Sequence, residues 1–483
     1  MGKLIGGSIA VVLIVSCLAS ASAPKRRQVR FADVTKQARV RIVGDGHGVA
    51  VNDYDGDRFI DIYVATKDPA NSTLLHNCGD GTFKNVTESA GVVVKAGQLH
   101  GNAWGDFDRN GRLGLYVGNW NDEAPTPNTL FEQNADGTFR NANAEAGISD
   151  LPPTNSHGVL VGDFDNDGWL DIFAGASRTT PLLLHNNGDG TFRDDRVRSR
   201  MAYSYRSQFM STVDWDEDGR LDIFVSSLPG GGAVNRLYHN LGDGVFEDIG
   251  AKTALGEGAF QGGRFADFDN DGHLDLVAPD EWSWVPWGYF VNRGGRLKEI
   301  GKDNGLYRGP DLVHALAVGD YDNDGRLDIF MATEAGETAL FCNQGGNRFK
   351  QANAGLPPLP GAKAGSFFDY DNDGWLDIFV AVSRSPCRLF RNLRGSNHWL
   401  KVKLVGTRSN RDGIGARLLL KAGGLTQMRE VSGGSGHQQD PFIQHFGLGK
   451  STKVHQLIVK WPGGEKQTLT DLTGDRTVLV EEK

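Results

Sequence analysis

The sequence predicts an all-β protein, a seven-bladed β-propeller followed by a small C-terminal β-domain. An Asp-rich nonapeptide recurs with its first aspartate at 53, 106, 163, 214, 267, 320 and 369, in steps of 53, 57, 51, 53, 53 and 49. Each copy lies between strand-like flanks. Gly158-Val159-Leu160-Val161-Gly162 alternates small and apolar residues before one copy, and Ile172-Phe173-Ala174 is an apolar run after it. The second half of the unit closes in a hairpin such as Leu184-His185-Asn186-Asn187-Gly188-Asp189-Gly190-Thr191-Phe192, whose Asn and Gly supply the positive φ that tight turns need. Four strands repeated seven times without a helical period make a propeller.

The elements follow in chain order. Residues 1–23 read as an export signal: Lys3, an apolar stretch from Leu4 to Leu18, then small residues from Ala19 to Ala23. A membrane anchor is the other reading, against which stand Gly6, Gly7, Ser8 and Ser16 and a length short of ~20 apolar residues. Ile14-Val15-Ser16-Cys17 also resembles a lipoprotein box, which would leave a lipid anchor at Cys17. No later stretch resembles a membrane span.

The propeller should occupy residues 31–396. The last strand of each unit begins at Phe83, Phe139, Phe192, Phe246, Leu297 and Phe349, but the seventh unit stops at Leu389-Phe390-Arg391-Asn392. Phe31-Ala32-Asp33-Val34-Thr35 has the form of Phe83-Lys84-Asn85-Val86-Thr87, so the N-terminal strand should close the last blade and remove a free edge. Residues 397–483 lack the repeat and carry strand-like runs at Trp399–Val405, Ala416–Leu420, Leu457–Trp461 and Thr477–Val480.

Composition narrows the function. Of 483 residues 65 are glycine, without a collagen period, which implies many tight turns. A net charge of −9 gives no sequence-wide attraction for phosphate backbones, so nucleic-acid binding is not expected. Four cysteines without zinc spacing neither staple the chain nor bind zinc. No Ser/His/Asp order, HExxH, phosphate loop or paired-acid signature occurs, so the expectation is a non-enzyme.

The nonapeptides carry the chemistry. Aspartates at positions one, three, five and nine converge on one centre if the chain bends, and glycine at position six allows the bend. The full sets are Asp163, Asp165, Asp167 and Asp171; Asp214, Asp216, Asp218 and Asp222; Asp267, Asp269, Asp271 and Asp275; Asp320, Asp322, Asp324 and Asp328; and Asp369, Asp371, Asp373 and Asp377. The first loop keeps Asp53, Asp55, Asp57 and Asp61 but has Arg58 at position six. The second, with Asp106, Asp108 and Asn110, has Gly114 at position nine and should bind weakly or not at all. Hard oxygen donors in a flexible cage select Ca²⁺, at about six sites. An EF-hand does not fit, because the flanks are strands and position twelve of the third loop is Ala174. Six bound Ca²⁺ would turn the net −9 into about +3.

These repeats resemble FG-GAP (VCBS-type) repeats of the integrin α-subunit propeller. Asn397-His398-Trp399-Leu400, Asp412-Gly413-Ile414-Gly415, His445-Phe446-Gly447-Leu448-Gly449 and Trp461-Pro462-Gly463-Gly464 resemble the ASPIC/UnbV domain. The combination is similar to the cartilage acidic protein family, although the EGF-like module of its animal members is absent. The resemblance implies extracellular calcium binding and interaction, with no catalytic residues; the expectation is a secreted or otherwise extracytoplasmic adhesion or scaffold module with a protein or glycan partner.

Six residues before each first aspartate, at the opposite end of the innermost strand, stand His47, His100, His157, Gln208, Gln261, His314 and Lys363. Two readings remain open: side chains that satisfy strand ends, or a polar ring that binds an anion, a soft metal or a ligand, including in an enzyme. Trp282, Trp284 and Trp287 either pack a blade or, beside arginines, recognise a partner.

Overall fold

The computed structural model describes residues 30–42, 44–121, 126–176, 179–201, 209–226, 235–257, 262–279, 288–300, 304–306 and 313–483. The strands of the repeat region form seven antiparallel sheets in chain order. The third is representative: Ser156–Gly162, Asp171–Ala176, Leu182–Asn186 and Phe192–Asp194 pair as successive neighbours. The innermost strands touch in sequence order, and Ala362–Phe368 of the last sheet touches Gly46–Asn52 of the first, so the ring is closed. Phe31–Asp33 pairs antiparallel with Arg388–Asn392 as the outermost strand of the last sheet.

One aromatic contact repeats around the ring. In six of the seven blades the residue after the first aspartate is buried and meets the Phe that opens the last strand of the next sheet, and in the fourth Trp215 has Leu297 in that place. Ring centroids lie 5.8 Å apart for Tyr54 and Phe139, 6.2 Å for Phe107 and Phe192, 6.0 Å for Phe164 and Phe246, and 5.9 Å for Phe268 and Phe349. Phe31 meets Tyr321 at 6.0 Å, so the N-terminal strand brings the packing residue as well as the hydrogen bonds. Pairs of this geometry contribute about 0.5–1.5 kcal/mol beyond the area they bury.

The C-terminal region forms two further sheets. His398–Val405 lies between Gln444–Gly449 and Arg476–Glu481, and Arg417–Ala422 with Lys453–Lys460 forms the centre of a sheet edged by Leu425–Glu430 and Lys466–Thr473. This unit sits over the Asp-loop end of the ring: Lys401 Nζ lies 2.6 Å from Asp369, Lys403 Nζ 3.3 Å from Asp53, and Arg417 donates to the Asp214 carbonyl at 2.6 Å. No helix among the described residues is long and apolar enough to cross a membrane.

Candidate metal loops and a histidine cluster in the channel

All seven Asp loops adopt one backbone path. Position six is left-handed in each, from Gly168 at φ +93° to Arg58 at φ +78°. Position four is left-handed too, carrying Asn166, Asn270, Asn323 and Asn372, Gly56 in the first loop, Arg109 in the second and Glu217 in the fourth. Short polar residues tolerate that region best. The loop amides then hold the carboxylates: Asp163 Oδ2 accepts from Gly168 N at 3.0 Å, and Asp167 Oδ1 from Trp169 N at 2.9 Å.

Position nine does more than point inward. Asp171 Oδ2 accepts from Phe164 N at 3.0 Å and Oδ1 from Asn186 N at 2.8 Å, which ties the loop to the third strand. The same pair of bonds is made by Asp61, Asp222, Asp275, Asp328 and Asp377. In the second loop Gly114 leaves this tie unmade.

The carboxylates fit a hard cation. Buried oxygens Asp53 Oδ1, Asp163 Oδ1, Asp269 Oδ1 and Asp371 Oδ1 have no hydrogen-bond partner, which costs stability unless a donor or a cation meets them. Burial raises the carboxyl pKa of Asp171 to about 6, Asp267 to about 7 and Asp275 to about 8; burial, then neighbouring aspartates, lift Asp163 and Asp320 well above the usual range. Bare, the loops cannot all hold full charge near neutral pH. Basic side chains stand against part of it. His76, His185 and His239 lie 3.2–3.4 Å from the ninth-position carboxylates of the first, third and fourth loops, and Arg293 lies 2.8 Å from Asp269. Among the described residues, His185 is the only basic side chain within ion-pair distance of the third loop. At the second loop, Asp412 of the C-terminal unit accepts from Asp106 N at 2.7 Å, and Arg411 lies 3.5 Å from Asp106.

The channel itself is entered by the C-terminal unit. A loop of the C-terminal unit descends along the third inner strand, with Val161 N donating to Gly433 O at 3.1 Å and Val159 N to Gly436 O at 3.1 Å. It turns at His437 and returns beside the first inner strand, where Gln438 and Gln439 pair parallel with Val49 and Ala50. Gln439 bonds both the N–H and the C=O of Trp104, and Gln438 Nε2 donates to Leu316 O at 2.7 Å. These bonds occupy inner-strand groups from several blades.

His437 thereby joins the ring expected at the far strand ends. His47, His100 and His157 stand side by side, with His47 and His100 centroids 4.5 Å apart and His100 and His157 4.9 Å apart. His47 Nε2 lies 3.2 Å from Asp45 and His314 Nε2 3.3 Å from Glu334, which Lys363 also meets at 2.9 Å. The expected ring therefore divides: His47 and His314 lie beside carboxylates, while His100 and His157 lie against one another and His437. Burial lowers the His47 imidazole to about 4 and holds His100 and His437 well below their ordinary value. Gln208, Gln261, Trp282, Trp284 and Trp287, together with Cys17 and the signal segment 1–23, lie outside the described residues.

An FG-GAP-like repeat matches residues 53–117, 106–174, 163–225, 214–278 and 320–380, together more than half of the chain. The chain belongs to the FG-GAP-like repeat family. Its C-terminal residues 406–483 match ASPIC and UnbV, so the capping unit is an ASPIC/UnbV domain. Cartilage acidic protein 1 from Homo sapiens is 26% identical over 91% of this chain and 63% of its own length; the Xenopus tropicalis protein is 27% identical over 91% and 64%. The chain thus spans less than two thirds of these relatives. A crystal structure of BBS1N in complex with ARL6DN aligns with a TM-score of 0.46 at 13% identity, covering 76% of this chain and 98% of that one.

Sequence reasoning missed two sets of residues in these FG-GAP units. One is the Asn that ends the third strand. Asn186 Nδ2 donates to Phe107 O of the preceding blade at 2.8 Å and to Leu170 O of its own at 3.1 Å, and Asn77, Asn240, Asn343 and Asn392 repeat both bonds. Asn292 makes the cross-blade bond, and Gln133 replaces Asn in the second blade. Read as turn formers, these Asn residues are instead staples, and the positive φ falls on Gly188 and Gly190. The other set, His76, His185 and His239, precedes that Asn; its signal was the recurring His-Asn pair.

Proposed function

We propose that this chain is an extracellular, calcium-loaded binding module, with six metal loops that lock the propeller and its ASPIC/UnbV cap into one body. The observation that carries it is the set of buried carboxylate oxygens without a protein partner in loops with four converging aspartates. Calcium accepts six to eight oxygens at about 2.3–2.6 Å and tolerates irregular cages, which suits donors pre-positioned by loop amides. An exported location supports occupancy, since sites of ~10⁻⁴–10⁻³ M fill outside the cell. The name of the cartilage acidic relatives, and the FG-GAP repeats themselves, agree with an extracellular role. Neither matched family is an enzyme family, and the reading is of binding and scaffolding toward a protein or glycan. Calcium would be held by the one-three-five-nine aspartates, and its contribution is charge neutralisation; the backbone amides and staples fix the loops around it.

Calcium titration and metal analysis of the mature protein test this. About six Ca²⁺ per chain are expected, with Asp165→Ala and Asp322→Ala each losing about one and Asp108→Ala losing none. No bound calcium at millimolar concentration, or equal losses for all three variants, would overturn the assignment.

A further inference from the structure

Three of the inner strands carry the same dipeptide at the end remote from the aspartates: His47-Gly48, His100-Gly101 and His157-Gly158. Both features of the pair have a structural use. A Cβ on Gly48 would lie 1.7 Å from His100 O, and one on Gly101 2.6 Å from Val159 N, so glycine lets these strands close on one another. The register of each strand slips at this point, between Gly46 and Gly48, Leu99 and Asn102, and Ser156 and Gly158. Such bulges re-aim a side chain out of the ladder. Here they turn imidazoles into the channel, where the ASPIC/UnbV loop delivers His437 from the other side.

His100, His157 and His437 are all buried, and each offers one ring nitrogen within 4.8 Å of the others. Both nitrogens of His100, which is 3% exposed, and Nε2 of His437, 4% exposed, lack a hydrogen-bond partner. Buried polar atoms without partners are rare and costly, and those of His100 and His437 are repaid if a cation takes their lone pairs. Aromatic rings close the surroundings: Trp120 lies 5.0 Å from His100 and 4.9 Å from His157, and Phe209 lies 5.0 Å from His437.

We infer that His100, His157 and His437 form a three-histidine site for one divalent transition-metal ion, Zn²⁺ or Cu²⁺, shared between the propeller and the ASPIC/UnbV loop. Imidazole suits zinc and copper, and the absence of a carboxylate from the triad disfavours calcium and magnesium. Metal–nitrogen bonds of about 2.0–2.1 Å require the nitrogens to close up from their present separation, which side-chain rotation can supply. Three protein ligands leave a further coordination position open, the pattern of zinc sites that bind water or a small ligand. The site is separate from the aspartate loops, at the opposite ends of the inner strands, and stands whether or not those loops hold calcium.

The test uses the full mature protein, stripped of metal and returned to millimolar calcium so that the loops cannot compete. Titration with Zn²⁺ and, separately, Cu²⁺ should give one site per chain tighter than about 1 μM, and Cu²⁺ should quench tryptophan fluorescence with the same stoichiometry through Trp120. His100→Ala and His437→Gln should each weaken binding at least 100-fold, His47→Ala less than 5-fold, and Trp120→Phe should remove most of the quenching without changing affinity. Co²⁺ should give the intense visible bands of a four-coordinate site. His437→Gln keeps a polar side chain of similar length in the loop, and an unchanged melting temperature in calcium shows that lost binding is not lost folding. No stoichiometric site for either metal, or undiminished affinity in both His100→Ala and His437→Gln, would overturn the proposal; a preference between zinc and copper decides which ion it serves.

Discussion

Arg58 stands at φ +78° where six other loops have glycine, and its exposed side chain has no evident compensating contact. A left-handed non-glycine residue costs about 1–2 kcal/mol, while glycine loses part of that advantage through unfolded-state entropy. Arg58→Gly should therefore stabilise the protein by about 0.5–1 kcal/mol, read as a rise in melting temperature, and an unchanged or lower value would contradict the strain argument. The aspartates of one loop should also separate by role. Asp171 is 2% exposed and accepts an N–H on each oxygen, so Asp171→Asn sets an amide NH₂ against a donor. Its cost, about 2–3 kcal/mol, should appear with and without calcium. Among the described residues Asp165 is tied to Asp167 N, at 3.3 Å, and to His185, so the cost of Asp165→Asn should appear only when calcium is present. Melting both variants in calcium and after metal removal distinguishes the two; parallel losses would mean that position nine is merely another ligand.

At the scale of the element, the Asn that closes each third strand binds one blade to the one before it. Asn240 is 1% exposed, and its Nδ2 donates to Phe164 O at 2.8 Å and Leu221 O at 2.9 Å while Oδ1 accepts from Gly242 N at 2.9 Å. Asn240→Ala leaves two buried carbonyls unpaired and should cost about 3 kcal/mol, whereas Gln133→Ala, which loses one 3.3 Å bond, should cost about 1 kcal/mol. Denaturant midpoints at equal slope would measure the difference, and equal costs would refute the staple. The strands of the repeat were legible because period and alternation both come from local burial: Phe192 opens an outer strand and Val159 lies in an inner one, each recognisable from its neighbours. The staples were not, because Asn186 reaches Phe107, 79 residues away, and no local pattern encodes a partner at that distance. The same holds in the C-terminal unit. Leu425–Glu430, Gln444–Gly449 and Lys466–Thr473 lack a clean apolar run, and Lys466–Thr473 is a largely exposed edge fixed by its pairing with Lys453–Lys460. His437 was hidden for a similar reason: its role arises only when a loop more than 270 residues from His157 enters the channel.

For the whole molecule, the decisive balance is between acidic loops and whatever neutralises them. The ASPIC/UnbV domain supplies part: Lys401 on Asp369, Lys403 beside Asp53, and Arg417 with Asp214 at 3.8 Å and Glu430 at 3.0 Å. Charge repulsion between carboxylates ~4 Å apart is about 4 kcal/mol per pair at an effective dielectric of 20, so removal of calcium should loosen cap and ring together. The pH dependence then has a definite sign. Burial raises Asp61 and Asp267 to about 7, Asp171 and Asp222 to about 6 and Asp275 to about 8 in the folded, metal-free protein, whereas unfolded aspartates titrate near 3.9. The folded state consequently binds more protons between those limits, and metal-free stability is full below about pH 4 and declines as pH rises through 6 to 8. Under the proposed function calcium would require the ionised carboxylates and would take over as the protons leave. Protein dialysed free of metal should melt at nearly the same temperature with and without added calcium at pH 4.5, and at least ~5 °C lower without it at pH 8. A gap independent of pH, or a metal-free protein more stable at pH 8 than at pH 5, would mean that the Arg, Lys and His contacts already neutralise the loops and that calcium does not hold the propeller together.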